Sequence, residues 1–177
     1  MDALERTPLE RRILDLFAAR TQGEVLDLAC GPGQVAGYLQ SQGLSVTGLD
    51  LSERMLELAS QEYPEVDFEQ GDLLRLPVEA DSCGGVTAFY AIVHLSSAYM
   101  ARAIDEMHRV LRPGGQLLLT FHSQLLNGRP DYRIFPLQEV VQVLLDTGFA
   151  IELELQRRPL AEEDDTRKAL IWAVRRA

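Results

Sequence analysis

A glycine turn and a downstream acid are spaced as a ligand grip requires. The run Val25-Leu26-Asp27-Leu28 ends abruptly in Ala29-Cys30-Gly31-Pro32-Gly33, and a helical pattern starts directly afterwards. A buried strand feeding a tight glycine loop is where a mostly parallel α/β sheet opens its ligand crevice. Gly31 and Gly33 accept backbone angles closed to other residues and leave no side chain between the main chain and a bound molecule. Asp50 closes the next strand-like run, Ser45 to Asp50, at a spacing suited to the two hydroxyls of a ribose. The first implication is a cofactor that contains a nucleoside.

The remaining chemistry is sparse. His94 follows the fourth strand-like run and His122 ends the fifth, so both point toward the crevice at the strands' carboxyl ends. Each is a candidate to accept a proton from a hydroxyl or amine, or else a hydrogen-bonded pocket wall. His108 lies on a helix flank beside Met107 and is expected to face solvent. Tyr90 is either an aromatic face for a cation or plain packing. No Cys-His, Ser-His-Asp or metal-ligand constellation is legible, so no metal is expected. Cys30 and Cys83 lack a metal or redox spacing, which reads as a reducing, cytoplasmic setting.

Length and charge narrow the partners. The 177 residues read most simply as one domain, 1–177, with a short N-terminal cap region at about 1–22. A chain of that size buries roughly 70% of its extended surface and needs no staple. A net charge of −10 and a sequence pI near 4.7 disfavour a phosphate backbone, hence no nucleic acid. The first dozen residues lack a signal peptide's apolar core and no run reaches spanning length, hence no membrane.

The elements that must position these residues alternate. Thr7-Pro8-Leu9-Glu10 reads as a capping box, and Leu9, Ile13, Leu16 and Phe17 carry a helix to about Arg20. Strands are expected at 24–28, 45–50, 66–70, 84–89 and 116–121, with a final pair at 150–156 and 169–174. Helices are expected from about Gln34 to Gly43, after Ser52 as N-cap with Met55 and Leu58 inward, from Met100 to a stop at Pro113-Gly114, and from Leu137 to Gly148. Strands alternating with helices argue for a parallel sheet covered on both faces, and the last two runs for an antiparallel pair at one edge. Glu162-Glu163-Asp164-Asp165 reads as a solvated hairpin loop.

The glycine pattern is not the nicotinamide one, because Gln34, Val35 and Ala36 separate Gly33 from Gly37. Asp27-Leu28-Ala29-Cys30-Gly31-Pro32-Gly33 instead resembles motif I of class I S-adenosylmethionine-dependent methyltransferases, with Ala29 where that family more often has glycine. Gly48 to Leu56, Gly71-Asp72-Leu73, Ala88 to Leu95 and Arg109 to Gly115 resemble its later motifs, in order. The nearest subgroup is similar to the small-molecule, quinone-biosynthesis-like methyltransferases, with type 11 or type 25 domains.

The resemblance implies a Rossmann-like seven-stranded, mostly parallel sheet with an antiparallel C-terminal hairpin and helices on both faces. It implies S-adenosylmethionine as donor, S-adenosylhomocysteine as product, and a small-molecule methyl acceptor. Asp50 would hold the ribose, Asp72 and the Leu73 N–H the adenine edge, and Leu51 and Met55 its faces. Asp27 would sit beneath the loop, either bridging to the methionine ammonium or capping backbone N–H groups. The carbonyls of Ala29 and Phe89 would accept from that ammonium, while Cys30, Gly31 and Gly33 complete the loop. Methyl transfer would be an in-line displacement, with His94, His122 and Tyr90 as the catalytic candidates.

The family's N-terminal cover and its insertion after strand five are short here, so the lid is small, supplied by another subunit of a homodimer, or missing. A non-catalytic S-adenosylmethionine-binding sensor or partner subunit is the alternative, and a nicotinamide-dependent oxidoreductase a weaker one.

Overall fold

The computed structural model describes residues 7–127, 131–161, 163 and 166–176. Its strands are β1 (Val25–Leu28), β2 (Val46–Asp50), β3 (Asp67–Gln70), β4 (Cys83–Phe89), β5 (Leu111–Leu125), β6 (Phe149–Arg157) and β7 (Thr166–Arg175). The helices are α1 (Pro8–Arg20), α2 (Gln34–Ser41), α3 (Glu53–Glu62), α4 (Ser97–Val110) and α5 (Leu137–Thr147), with a 3-10 turn at Ala91–His94. The strands form one seven-stranded sheet in the order β3-β2-β1-β4-β5-β7-β6. β1 to β5 pair in parallel, and β7 inserts antiparallel between β5 and β6. The expected Rossmann-like sheet with its antiparallel C-terminal pair is therefore the one observed.

Each face of the sheet has its own apolar layer. Leu26, Leu28, Val86, Leu117, Leu119 and Phe121 face α4 and α5, which bury Met100, Ile104, Met107, Val140 and Leu144. Val25, Val46, Leu118, Leu170 and Trp172 face α1 and α2, which bury Ile13, Leu14, Phe17, Val35 and Leu39. Adjacent strand residues such as Val25 and Leu26 thus go to opposite layers, as the pleat requires. Each fully buried side chain of this kind contributes roughly 1.5–3 kcal/mol.

Helix α1 is fastened along the β6–β7 hairpin at both ends. Near its start, the Arg157 guanidinium of β6 donates to Glu10 at 2.6 Å. Near its end, Arg20 donates to Glu152 at 3.0 Å and stands 4.9 Å from the centre of the Trp172 ring.

Several local expectations are corrected. Thr7 makes no side-chain cap on α1. Glu10 is drawn away from the cap because two Arg157 nitrogens hold it, an ion pair spanning 147 positions. Ser52 likewise gives α3 no side-chain cap; its main-chain carbonyl takes the Met55 N–H at 3.0 Å instead. Met55 and Leu58 are 37% and 42% exposed, so they do not form an inward face; α3 buries only Ala59.

Helix α4 stops at Val110, before the Pro113-Gly114 turn, because the residue preceding a proline is pushed to extended angles. That turn is a bulge inside β5, where Leu111 pairs with Cys83 and Gln116 with Gly85. His108 is half-buried, its ring edge-on to Phe149 at 5.2 Å, and burial lowers its pKa. Glu163 is not simply solvated, because Arg157 donates to it at 2.6 Å. Glu162, Asp164 and Asp165 lie outside the described residues.

Candidate active site

β1 lies between β2 and β4, so the chain leaves it to opposite sides and a crevice opens at its carboxyl end. Asp27 sits in that strand, 1% exposed, on the α2 side. Its Oδ1 accepts from the Thr87 hydroxyl of β4 at 2.7 Å, and its Oδ2 from the Ala36 N–H at 3.1 Å. Ala36 is in the first turn of α2, whose N-cap is Gly33 at φ 82 and carries no capping side chain. Asp27 therefore does the capping from beneath, satisfying an N–H that the helix leaves open. Burial, the largest influence, pushes its pKa up to about 7, opposed by the Thr87 and Ala36 hydrogen bonds.

The loop above is held by Asp50 at the end of β2. Asp50 Oδ2 accepts from the Gly31 N–H at 2.9 Å, and the Cys30 N–H donates to the Leu49 carbonyl at 3.0 Å. A Cβ at Gly31 would meet nothing within 4 Å, so the loop borders open space on that side. Ala29 adopts φ 51, the left-handed region that glycine takes without penalty. The Cys30 thiol is pushed up by burial and by the Asp27 and Asp50 charges, so it stays protonated.

The third strand joins the same rim, since the Gly71 N–H donates to the Asp50 carbonyl at 3.0 Å. Asp72 is exposed and its Oδ1 accepts from the Leu74 N–H at 2.9 Å, closing a turn that keeps half-buried Leu73 against the core. Leu51 is 68% exposed beside Met55, an apolar pair left uncovered at the rim.

Beyond β4 the chain kinks. Tyr90 takes φ 56, and its N–H donates to the Thr120 carbonyl of β5 at 3.0 Å. Half-buried Phe89, the last residue of β4, pairs with Thr120. Strained non-glycine residues thus end both β1 and β4, on the two sides of the crevice.

The two histidine candidates separate. His94 is exposed at the end of the 3-10 turn. His122 is buried between two rings, 4.0 Å from the Tyr132 centroid and 4.9 Å from that of Tyr90. Its Nδ1 lies 2.8 Å from Thr166 Oγ1 and 3.0 Å from Lys168 Nζ. The segment after β5 folds back here, with the Phe135 N–H donating to the His122 carbonyl at 3.0 Å. Thr87, Tyr132, Thr166 and Lys168 were missed by sequence reasoning. A signal existed for two of them: Thr87 interrupts an apolar strand, and Lys168 alternates with the inward Leu170 and Trp172.

The residues fit an adenosyl cofactor on structural grounds. An acid at the second strand's tip, a loop facing open space and two exposed apolar side chains match a ribose, a main-chain cradle and a base. Among the described residues, no three His, Cys, Asp or Glu side chains are grouped to hold a metal, and no helix is long and apolar enough to cross a membrane.

Known proteins agree with this architecture. Residues 25–115 match the family described as methyltransferase domain, and the chain belongs to that family, the S-adenosylmethionine-dependent methyltransferases. It is 38% identical over 112 residues to a malonyl-[acyl-carrier protein] O-methyltransferase of Pectobacterium atrosepticum, covering 63% of this chain and 43% of that protein. It is 36% identical over 123 residues to a demethylmenaquinone methyltransferase of Beutenbergia cavernae, covering 70% and 49% respectively. The chain spans about half the length of the curated relatives it matches. A solved S-adenosylmethionine-dependent methyltransferase of Methanosarcina mazei shares the fold, with a TM-score of 0.78 at 20% identity, covering 91% of this chain and 97% of that one.

Proposed function

We propose that this chain transfers a methyl group from S-adenosylmethionine to a small organic acceptor, in the crevice at the carboxyl ends of β1, β2 and β4. The observation that carries the reading is the loop after β1. It faces open space at Gly31 and is tied by its own N–H to the carboxylate at the tip of β2. When bound, the cofactor supplies an electrophilic methyl on a sulfonium, whose departure leaves a neutral thioether.

The protein's part is to hold and align. Asp50 keeps lone pairs for the ribose hydroxyls beyond those given to Gly31 and Ser52, since a carboxylate accepts at about four sites. Leu51 and Met55 flank the base, with Asp72 and the Leu73 N–H at its edge. The Ala29 and Phe89 carbonyls, with Asp27 behind them, receive the ammonium, and Cys30 and Gly33 close the loop.

His122 serves as a positioning group. The contacts of its Nδ1 with Thr166 Oγ1 and Lys168 Nζ, and the rings on either side, fix the orientation of the imidazole. Tyr90 forms the wall between His122 and the crevice. His94, exposed, is the remaining candidate for taking a proton.

Calorimetric titration with S-adenosylhomocysteine and, separately, NADH tests the reading. Binding of the first and not the second is expected; the reverse overturns it. Incubation with a labelled methyl donor and a metabolite pool then finds the acceptor by the label it carries.

A further inference from the structure

The segment that meets the base edge lies in a connection with little regular structure of its own. From Gly71 to Ser82 the chain passes between β3 and β4, and its first bend is a turn in which the Arg75 N–H donates to the Asp72 carbonyl at 2.9 Å. Asp72 Oδ1 takes the Leu74 N–H within the same turn. Upstream, the Gly71 N–H ties the turn to the Asp50 carbonyl at 3.0 Å. Downstream, it is held by two side chains of α4, Glu106 and Arg109, to which the methyl-transfer reading gives no role.

Glu106 and Arg109 stand one helical turn apart and form an ion pair, with side chains 19% and 35% exposed. Arg109 Nε donates to Glu106 Oε1 and Nη2 to Oε2, both at 2.8 Å. Three main-chain groups of the connection end on this pair. The Leu76 N–H donates to Glu106 Oε2 at 2.8 Å, the Leu76 carbonyl accepts from Arg109 Nη2 at 3.1 Å, and the Val78 carbonyl accepts from Nη1 at 2.8 Å. The Arg109 carbonyl adds a further tie, taking the Asp81 N–H at 3.0 Å. A pair this open to water contributes little stability by itself, so its distinctive property is the grip on the loop. A planar guanidinium fork can span a carboxylate and two carbonyls in this way, whereas an ammonium places its three donors on a single atom.

Resting on the methyl-transfer reading above, we propose that Glu106 and Arg109 are positioning residues for the cofactor's base. They hold Leu76, the residue that follows the turn, and so fix where the Asp72 carboxylate and the Leu73 N–H meet the adenine edge. Leu76 is 4% exposed and Leu73 packs on the same apolar layer, so the turn is carried between this clamp and the core. A loop ordered before the ligand arrives spares the ligand that entropic cost. The gain falls on the contacts at the base edge and not on the ribose, which the reading assigns to Asp50 on β2.

The test titrates the full chain by calorimetry with S-adenosylhomocysteine and with S-inosylhomocysteine. Hypoxanthine stacks as adenine does, but a carbonyl replaces the amino donor and an N–H replaces the N1 lone pair, so both edge contacts are reversed. The wild type is expected to prefer the adenosyl compound by about tenfold or more. Arg109→Lys, which keeps the charge and loses the span, and Glu106→Ala should each cut that preference about fivefold or more, the worth of roughly one hydrogen bond. Arg157→Gln, which breaks the more buried pair fastening α1, should leave the preference intact.

An unchanged preference in either folded variant, an equal loss of affinity for the two ligands, or the same drop in Arg157→Gln overturns the positioning role alone. A wild type that binds both ligands equally also overturns it, by removing the base edge from Asp72 and Leu73. Failure of S-adenosylhomocysteine to bind at all overturns the methyl-transfer reading and takes this inference with it.

Discussion

Replacing Asp27 with asparagine should make the protein more stable at neutral pH, although it removes a buried acid that the family motif contains. The side chain is 1% exposed and burial pushes its pKa from 3.8 to about 7. The folded state therefore holds this proton more tightly than the unfolded chain does. Its contribution is fully present below the unfolded value and is lost as pH rises through about 7. At about 1.4 kcal/mol per tenfold change, the complete loss is about 4 kcal/mol, and the part between about pH 5.5 and 8 is about 2 kcal/mol.

Asparagine keeps the shape, accepts from Ala36 through Oδ1 and donates to Thr87 through Nδ2, so both contacts survive with their roles adjusted. Urea unfolding of wild type and Asp27→Asn, measured side by side across that pH range, isolates this group because the other titrations cancel in the difference. The variant's advantage should grow with pH. A pH-independent difference, or a wild type that is the more stable at high pH, would refute the reasoning. If the same variant also binds S-adenosylhomocysteine more weakly, the carboxylate assists the ammonium as well as the helix.

Three further outcomes are expected. Asp50→Ala should weaken S-adenosylhomocysteine binding by about 1.5–3 kcal/mol in calorimetry, the range for hydrogen bonds to a charged group; unchanged affinity would remove Asp50 from the site. Arg157→Gln strands Glu10 and Glu163, whose side chains are only 10% and 20% exposed, and should cost about 3 kcal/mol while speeding amide exchange in α1 ahead of the core. The same guanidinium holds the Glu163 carboxyl below its usual range, stability present above that range and lost on acidification, so the gap to wild type should shrink in acid. Ala29→Gly relieves a left-handed alanine at φ 51, about 1–2 kcal/mol of strain against about 0.5–1 kcal/mol of added chain entropy, so a small rise in melting temperature is expected.

What the sequence revealed was local pattern and the motif it carried. Apolar runs bounded by Gly31, Gly43 and Gly148 placed the strands and helices well, since a period and a stop are both written in neighbouring residues. Long-range partners were invisible. Glu10 looked like a capping residue until Arg157 took it, and His122 like a free base until the β5–β7 register set Lys168 beside it. Met55 and Leu58 had helical spacing but stay largely exposed, because Ala59 is the one residue that α3 fully buries. For Asp27 the sequence left two roles open, bridging to the ammonium or capping backbone N–H groups, and only the strand's course beneath Ala36 picks out which N–H is capped.

Crystals of the protein grown with S-adenosylhomocysteine probe the core of this account most directly. The ribose hydroxyls should lie within about 3 Å of the Asp50 carboxylate, the adenine against Leu51 and Met55, and the sulfur facing Tyr90. A ligand bound elsewhere, or a ribose turned away from Asp50, would contradict it.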